Sequence, residues 1–273
     1  MKHISLLVIA LTFCIGSVSL AQQAANPAPD NPSAESPDRP ALTPRQIAEM
    51  RGDILMARKQ YELAITAYQD ILKKEPKNAV LLNKIGIAYE DLGDTDRAEY
   101  CYRKSIAANK HFPIPVNNFG TLEYARQHYG RAIKLYLKAA SLKMDVAPIY
   151  SNLAYAYYAN KEYPKAMDAF AKALAADPQI FDRKEGSGGS VLQQRTAPDP
   201  ATLFFLMAKS YAKIGDAERA AHYLKLARDD GYKNYKSAEK DPEFARVIKD
   251  PRIQDVLKVT PSYIAEPDKP VSE

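Results

Sequence analysis

Two short motifs in this sequence have residue types and spacings that enzymes use for catalysis. Ser210 and Lys213 have the Ser-x-x-Lys spacing of some acylating enzymes. Cys101 is the second candidate, because a thiolate is a strong nucleophile. The companion motifs of acylating enzymes are missing, and no histidine lies close to Cys101 in the sequence. We therefore predict no catalytic residue and no enzyme, and we interpret Cys101 as a small, partly buried side chain.

The other motifs of the sequence do not indicate a metal-binding or a phosphate-binding site. The sequence has no His-Glu-x-x-His and no Cys-x-x-Cys, and its four histidines form no close pair. The glycine-rich stretch 186–189 lacks the Gly-Lys-Ser/Thr ending of a phosphate-binding loop. A net charge of +5 over 273 residues is too small for a nucleic-acid signature. We expect no metal site, no cofactor and no nucleic-acid partner.

A period of 34 residues organises most of the chain. Three kinds of residue recur at this spacing: the glycines Gly52, Gly86 and Gly120, the alanines Ala64, Ala98, Ala132 and Ala166, and the rings Tyr68, Tyr102, Tyr136 and Phe170. Each unit reads as two amphipathic helices. A tiny residue in the first helix lets the second helix cross closely, and the large ring fills the adjacent gap. This packing accounts for many of the 18 tyrosines without any catalysis.

These columns resemble the tetratricopeptide repeat (TPR) family, whose pattern has Leu-Gly and Tyr in helix A and Ala, an aromatic residue, Ala and a closing Pro in helix B. Unit four matches best, with Ala154 and Pro178 at the expected places, and a fifth unit carries Ala208 and Ala220. The units run over 45–78, 79–112, 113–146, 147–180 and 201–234, so that repeats 1–4 fill 43–180 and repeat 5 fills 201–234. The resemblance implies an all-α solenoid of about five helix-turn-helix repeats with a C-terminal helical cap.

The resemblance also implies a partner-binding groove, because helix A of each TPR unit lines a concave surface. The groove positions of this chain carry asparagines, which offer both donors and acceptors, and tyrosines, which offer flat apolar area with a polar tip. The candidate partner-binding residues are Asn83, Asn117, Asn118, Tyr124, Asn152, Tyr155, Tyr158 and Phe205. An alternative stays open here, in which the asparagines bridge neighbouring helices.

Several positions depart from the family pattern. Arg51 stands where unit one would carry Leu, and Glu123 stands where unit three would carry Tyr. TPR domains that clasp a C-terminal carboxylate use Lys, Asn, Asn, Lys and Arg at set groove positions. The corresponding residues here are Glu49, Asp53, Lys84, Ile114 and Asn118, which do not form that basic set.

The N-terminus has the pattern of an export signal. Lys2 precedes a nearly continuous apolar run over residues 4–20, and small residues suit cleavage before Gln22. We expect a signal peptide at 1–21 and a periplasmic or secreted mature chain, whose net charge falls by one, to +4, when Lys2 is removed. The alternative is a retained or lipidated membrane anchor, since about 17 apolar residues just span a bilayer.

The other segments frame the repeats. Residues 22–42 are rich in Pro and Ala and predict a disordered linker. Glycine and serine in 181–200 predict a flexible inserted loop, either a harmless insertion or an arm that contacts a partner. Two Asp-Pro pairs and several apolar residues in 235–258 predict capping helices, and 259–273 reads as a disordered tail.

Two functional hypotheses follow from this organisation. The first is a non-catalytic scaffold of the bacterial cell envelope that binds a protein or peptide in its concave groove, for the assembly of an envelope or outer-membrane complex. The second is a factor that associates with cell-wall polysaccharide or peptidoglycan through an aromatic concave face. The partner and the oligomeric state stay open at this point.

Overall fold

A computed structural model describes residues 42–142, 146–181 and 199–259. Every regular element in these ranges is helical, which confirms the predicted all-α fold. The α-helices are α1 (Pro44–Ala57), α2 (Tyr61–Leu72), α3 (Ala79–Asp91), α4 (Thr95–Ala108), α5 (Pro113–Ala125), α6 (Tyr129–Ser141), α7 (Val146–Ala159), α8 (Tyr163–Ala176), α9 (Pro200–Ile214), α10 (Ala217–Asp229) and α11 (Pro251–Lys258). Two short 3₁₀ helices, Tyr235–Glu239 and Pro242–Phe244, lie between α10 and α11.

Consecutive helices pair into five hairpins that stack in chain order. The first helix of each hairpin is a helix A (α1, α3, α5, α7 and α9), and the second is a helix B. Each helix B also contacts the helix A that follows it, so one continuous array results. Helices A touch one another directly, α3 with α5 and α5 with α7, and we call the surface that they form the inner side.

The glycine and tyrosine columns meet where the two helices of a hairpin cross. A Cβ at Gly86 would lie 2.6 Å from Cε1 of Tyr102, and a Cβ at Gly120 would lie 2.7 Å from Cε1 of Tyr136. Only a residue without a side chain fits beneath the ring at this distance. The predicted close crossing is therefore confirmed.

Polar side chains cap the N-termini of helices, as the sequence predicts for the two Asp-Pro pairs. The Thr43 hydroxyl oxygen accepts a hydrogen bond from the backbone N–H of Gln46, and the backbone N–H of Thr43 donates to Gln46 Oε1, so a capping box begins α1. Asp241 and Asp250 accept from backbone N–H groups in the same manner and are each followed by a proline. These contacts satisfy N–H groups that the first helical turn leaves unpaired.

The C-terminal segment closes the last hairpin as predicted. Five of the proposed capping side chains are buried: Phe244, Val247, Ile253, Val256 and Leu257. Helix α11 packs on α10, so the apolar end of the array is covered there.

The ends of the predicted loop at 181–200 belong to the packed structure. Phe181 is buried, with its ring centroid 5.5 Å from that of Phe170, because an apolar ring is more stable in the core than in water. At the other end Pro200 begins α9, with Asp199 as its N-cap. The rest of the loop lies outside the described residues, as do the predicted signal peptide at 1–21, the linker up to residue 41 and the tail from residue 260. Within the described ranges, no helix is both long enough and apolar enough to cross a bilayer.

Candidate functional site on the inner side of the array

Four asparagines on the inner side are joined by hydrogen bonds between their side-chain amides. Asn118 Nδ2 donates to Asn83 Oδ1 at 3.1 Å, and Asn152 Nδ2 donates to Asn117 Oδ1 at 3.1 Å. A longer contact of 3.4 Å joins Asn117 Nδ2 to Asn118 Oδ1. We call these four residues the asparagine ladder. The alternative in which the asparagines bridge neighbouring helices is therefore confirmed.

An ionic version of the same link joins the first two hairpins. Lys84 Nζ lies 2.9 Å from Glu49 Oε1 and 2.6 Å from Asp53 Oδ1. Glu49 and Lys84 are 35 residues apart, the same spacing as Asn83 and Asn118. Partial burial lowers the pKa of Lys84, but the hydrogen bonds from its ammonium to Asp53 and Glu49 outweigh burial, so the net shift of that pKa is upward. Lys84 is therefore a fixed cation at neutral pH.

The ladder leaves hydrogen-bonding capacity in its two central members. A side-chain amide has two N–H donors and two acceptor lone pairs. Asn117 and Asn118 each use one donor and one acceptor in the ladder and are half-buried, so part of each side chain stays accessible. Thr121, one turn further along α5, donates to the backbone oxygen of Asn117 at 3.3 Å. These groups form a fixed polar strip on α5.

Two carboxylates at the end of α3 add negative charge to the inner side. Burial raises the pKa of Glu90, the hydrogen bond from Tyr102 lowers it, and the Asp91 charge raises it again, with a net upward shift. Burial also raises the pKa of Asp91, against the opposing charge of Lys59. Both groups would gain from a cation that approaches them, since a positive charge favours the ionised carboxylate.

The aromatic candidates differ from the prediction. Tyr155 is completely buried, with its ring in an edge contact 5.2 Å from Phe170. The Tyr158 hydroxyl accepts from the backbone N–H of Asp199 at 3.0 Å. The prediction that these rings line an open groove is corrected, because they fill the space between α7 and its neighbours. Tyr124 alone of the predicted tyrosines stays half-buried, and its ring lies 5.3 Å from that of Tyr129.

The chain's own C-terminal segment covers the inner side of the fifth hairpin. Phe205, predicted to face the groove, stacks on Tyr232 with ring centroids 4.4 Å apart. Lys209 Nζ lies 2.8 Å from Asp241 Oδ2. Phe205 is therefore buried by the cap and does not lie in an open groove. The part of the inner side that stays open belongs to α1, α3 and α5, where Asp53 is exposed and Ile87 and Thr121 are half-buried.

The residues of the two candidate catalytic motifs are either buried or ion-paired. The Ser210 hydroxyl is buried and donates to the Leu206 carbonyl at 2.8 Å, while Lys213 Nζ lies 3.2 Å from Asp168 Oδ1. Burial raises the pKa of the Cys101 thiol to about 11, so at neutral pH the side chain is a thiol. The interpretation of Cys101 as a small buried residue is confirmed.

Sequence reasoning missed an ion cluster around Glu123. This buried carboxylate lies 3.1 Å from His128 Nδ1, 3.3 Å from Arg126 Nη1 and 3.5 Å from Arg131 Nη1. Its place in the repeat is occupied in other units by a tyrosine beneath a cation. Those pairs are Arg97 over Tyr89, Lys165 over Tyr157 and Arg219 over Tyr211. The signal was present in the sequence, because a basic residue follows eight positions after each of these four residues.

Comparisons with known proteins agree with the geometry. A TPR repeat model matches residues 52–93, and tetratricopeptide repeat models match 79–112 and 147–180. The Hsp70-Hsp90 organizing protein of Triticum aestivum is 24% identical over 213 residues, which are 73% of this chain and 35% of that protein. The probable UDP-N-acetylglucosamine–peptide N-acetylglucosaminyltransferase SPINDLY of Hordeum vulgare is 26% identical over 135 residues, 47% of this chain and 14% of the enzyme.

Among solved structures, the pilF protein of Pseudomonas aeruginosa superposes with a TM-score of 0.51 at 19% identity, covering 78% of this chain and 86% of that one. This likeness shows the helical-repeat fold. The chain spans only 14% and 35% of the length of the two curated relatives named above, so their whole activities do not transfer to it.

Proposed function

The chain is a tetratricopeptide repeat protein, and we propose that it is an exported, non-catalytic scaffold that holds an extended segment of a protein partner against the inner side of its first three repeats. TPR domains bind protein or peptide partners. The observation that carries the proposal is the asymmetry of the inner side. Its C-terminal part is filled by the chain itself, whereas its N-terminal part is open and lined with fixed polar groups.

The asparagine ladder supports the binding of an extended backbone. Hydrogen bonds within the ladder hold each amide in one orientation before a partner arrives, so less side-chain entropy is lost on binding. The remaining donor and acceptor of Asn117 and Asn118 match the alternating C=O and N–H groups of a peptide. The bridging role and the binding role are therefore compatible.

The charge on this surface favours a basic partner segment. Four carboxylates, Glu49, Asp53, Glu90 and Asp91, lie in this part of the inner side. Three cations face them: Lys84 contacts the first two, Arg45 Nη1 lies 3.4 Å from Glu49, and the charge of Lys59 acts on Asp91, so one negative charge is left over. A groove that clasps a C-terminal carboxylate needs a positive charge instead. We infer that the bound segment carries Lys or Arg near α1 and α3, where the remaining negative charge attracts it.

The location outside the inner membrane rests on the sequence of residues 1–21. Mass spectrometry of the protein purified from its own cells tests it directly. The proposal expects a mature N-terminus at Gln22. A chain that still begins at residue 1 contradicts cleavage, and a chain found only inside the cytoplasm contradicts export and a role in envelope assembly.

The polysaccharide alternative has lost its physical basis. It required an aromatic platform, but Tyr155, Tyr158 and Phe205 are buried. A sugar ring needs an accessible aromatic face, and of the predicted groove rings only Tyr124, beside Tyr129, stays half-buried. We retain the protein partner as the proposed function.

Charge reversal on α3 tests the groove. Ile87→Lys with Asp91→Lys changes two inner-side positions one turn apart, and the matched control Leu63→Lys with Asp70→Lys changes one apolar and one acidic residue on the exposed side of α2. Each protein is used to capture partners from extracts of its own cells, with quantitative mass spectrometry. The proposal expects the α3 variant to lose the partners that wild type and the α2 control retain. Equal recovery by all three folded proteins would remove the groove from the account.

A further inference from the structure

Helix α1 exposes an apolar face at the N-terminal end of the array. Ile47, Met50 and Ile54 are spaced by three and four residues, so they lie on one side of the helix. Their side chains are 55%, 46% and 46% exposed. We call these three residues the N-terminal face. Three large apolar side chains together are more than scattered surface hydrophobics, and such patches mark interaction sites.

Ile47 and Ile54 occupy positions that are buried in later repeats, whereas Met50 occupies the position of Lys84, Asn118 and Asn152, which contact the preceding helix A. The residues equivalent to Ile47 in units two, four and five are Leu81, Ile149 and Leu203, and all are buried. The residues equivalent to Ile54 are Ala88, Leu122, Ala156 and Ser210, and all are buried. In each case the preceding hairpin packs on that side of helix A. The N-terminal face thus has the composition of an interface between hairpins, at a place where the described chain has no preceding hairpin.

The segment just before α1 lacks the side chains to cover this face. Residues 22–41 contain no Val, Ile, Leu, Met or aromatic residue. Covering Ile47, Met50 and Ile54 requires comparable apolar area from another source, because burial stabilises in proportion to that area.

The opposite end of the array is closed. Ile253, Val256 and Leu257 of α11 are buried, and α11 packs on α10, the last helix B. A second copy therefore cannot present α10 to α1 in the way that one hairpin follows another. Within the described residues, head-to-tail stacking into filaments is therefore blocked, whereas the N-terminal faces of two copies can pack against each other.

From these observations we infer that two copies of this chain associate head to head through α1. Two antiparallel α1 helices related by a two-fold axis near Met50 place Ile47 of one copy against Ile54 of the other. Arg51 lies next to Met50, and its long apolar stem lies along the partner while its guanidinium reaches solvent.

Sedimentation equilibrium of the full chain tests the inference. The expected mass is about twice the 30.4 kDa of one chain, less any cleaved leader. Met50→Glu with Ile54→Glu should give a monomer with unchanged helicity, because each copy would bury two desolvated carboxylates near the axis. Leu92→Glu with Leu137→Glu, two exposed apolar residues elsewhere, should leave the dimer intact. A monomeric wild type, or a dimer that survives the α1 substitutions, would overturn the inference.

Cysteine cross-linking provides a second test that does not depend on stability. Met50→Cys should form an intermolecular disulfide under mild oxidation, since the two sulfurs meet near the axis. Leu137→Cys is the matched control; Cys101 does not interfere because it is buried, and Cys14→Ser in both variants removes the other cysteine of the chain. Selective cross-linking at position 50 supports the head-to-head dimer. Equal cross-linking at both positions, or none at position 50, contradicts it.

Discussion

The side-chain amide of Asn118 donates to Asn83 Oδ1 across 3.1 Å and thereby joins the third repeat to the second. The pair Glu49–Lys84 makes the equivalent link one repeat earlier, and Asn117–Asn152 makes it one repeat later. The contact always joins a residue of one helix A to the residue 35 positions on. Cohesion between repeats and the polar lining of the groove therefore depend on the same side chains.

We predict that Asn118→Ala lowers the free energy of unfolding by about 1–3 kcal/mol, since it strands the buried Asn83 oxygen without its donor. Urea denaturation measures the loss. The control Asn234→Ala changes an exposed asparagine and should be close to neutral. The double variant Asn83→Ala with Asn118→Ala should lose less than the sum of the single variants. Strict additivity would show that this hydrogen bond contributes nothing.

Gly86→Ala should destabilise the second repeat by about 1–3 kcal/mol, because its Cβ would lie on the Tyr102 ring and overpack the crossing. In unit five the positions of Gly86 and Tyr102 are occupied by Ala208 and Leu224, and both are buried. Gly86→Ala combined with Tyr102→Leu should therefore be more stable than additivity of the two single variants predicts. Thermal melting of all three variants tests this, and an unmoved melting temperature for Gly86→Ala would mean that the crossing has been misplaced.

Glu123→Tyr should keep or raise the stability of the protein. The substitution places a ring beneath Arg131, as Tyr89 lies beneath Arg97 at 4.6 Å. Replacing a buried charge by a well-packed ring is often neutral or stabilising. Glu123→Ala, in contrast, removes charge-assisted hydrogen bonds and should lose about 1.5–3 kcal/mol. Guanidinium denaturation compares them, and a tyrosine variant as unstable as the alanine variant would contradict this interpretation.

Alkaline pH should destabilise the array through its buried phenols. Burial and the neighbouring Glu90 carboxylate raise the pKa of Tyr102, and burial and the Asp53 hydrogen bond raise that of Tyr68. The unfolded phenols ionise near pH 10, so above about pH 10 the folded state binds more protons and stability falls. Tyr102→Phe should weaken this fall, whereas Tyr100→Phe, at an exposed site, should not. Identical pH slopes for both variants would refute the assignment.

The repeat architecture could be predicted from the sequence because its signal is local and is repeated. Gly52, Gly86 and Gly120 mark the crossings by their type alone, and Thr43 and Asp250 mark helix starts by their own backbone chemistry. Such features need only spacing along one chain. The structure confirms the crossings and these helix starts.

The accessibility of the groove could not be predicted in the same way. Tyr155 and Phe205 occupy groove positions of the repeat, but Phe170 and Phe181 surround the first, and Tyr232 covers the second. Phe170 belongs to the ring column of the repeat, but Phe181 lies in the inserted segment and Tyr232 follows α10, so the repeat pattern specifies neither of these two contacts. The position of a residue in the repeat therefore predicts the direction in which its side chain leaves the helix. The exposure of that side chain depends on what packs against the helix.

The asparagines illustrate a different limit. Their spacing of 35 residues fits both a bridge between helices and a surface that binds peptide, because an amide has capacity for both. The hydrogen-bond distances show the bridge, and the half-buried Asn117 and Asn118 keep a surface for binding.

The most direct test of the account is photocross-linking inside the cell. A photoreactive amino acid at Thr121 lies in the polar strip of the inner side, and one at Lys134 lies on the exposed side of α6 as the matched control. The account predicts cross-linked partner proteins at position 121, with little at position 134, and loss of those adducts when Ile87→Lys and Asp91→Lys are added. Adducts of equal yield at both positions, or adducts at 121 that persist in the charge-reversed chain, would contradict binding in this groove.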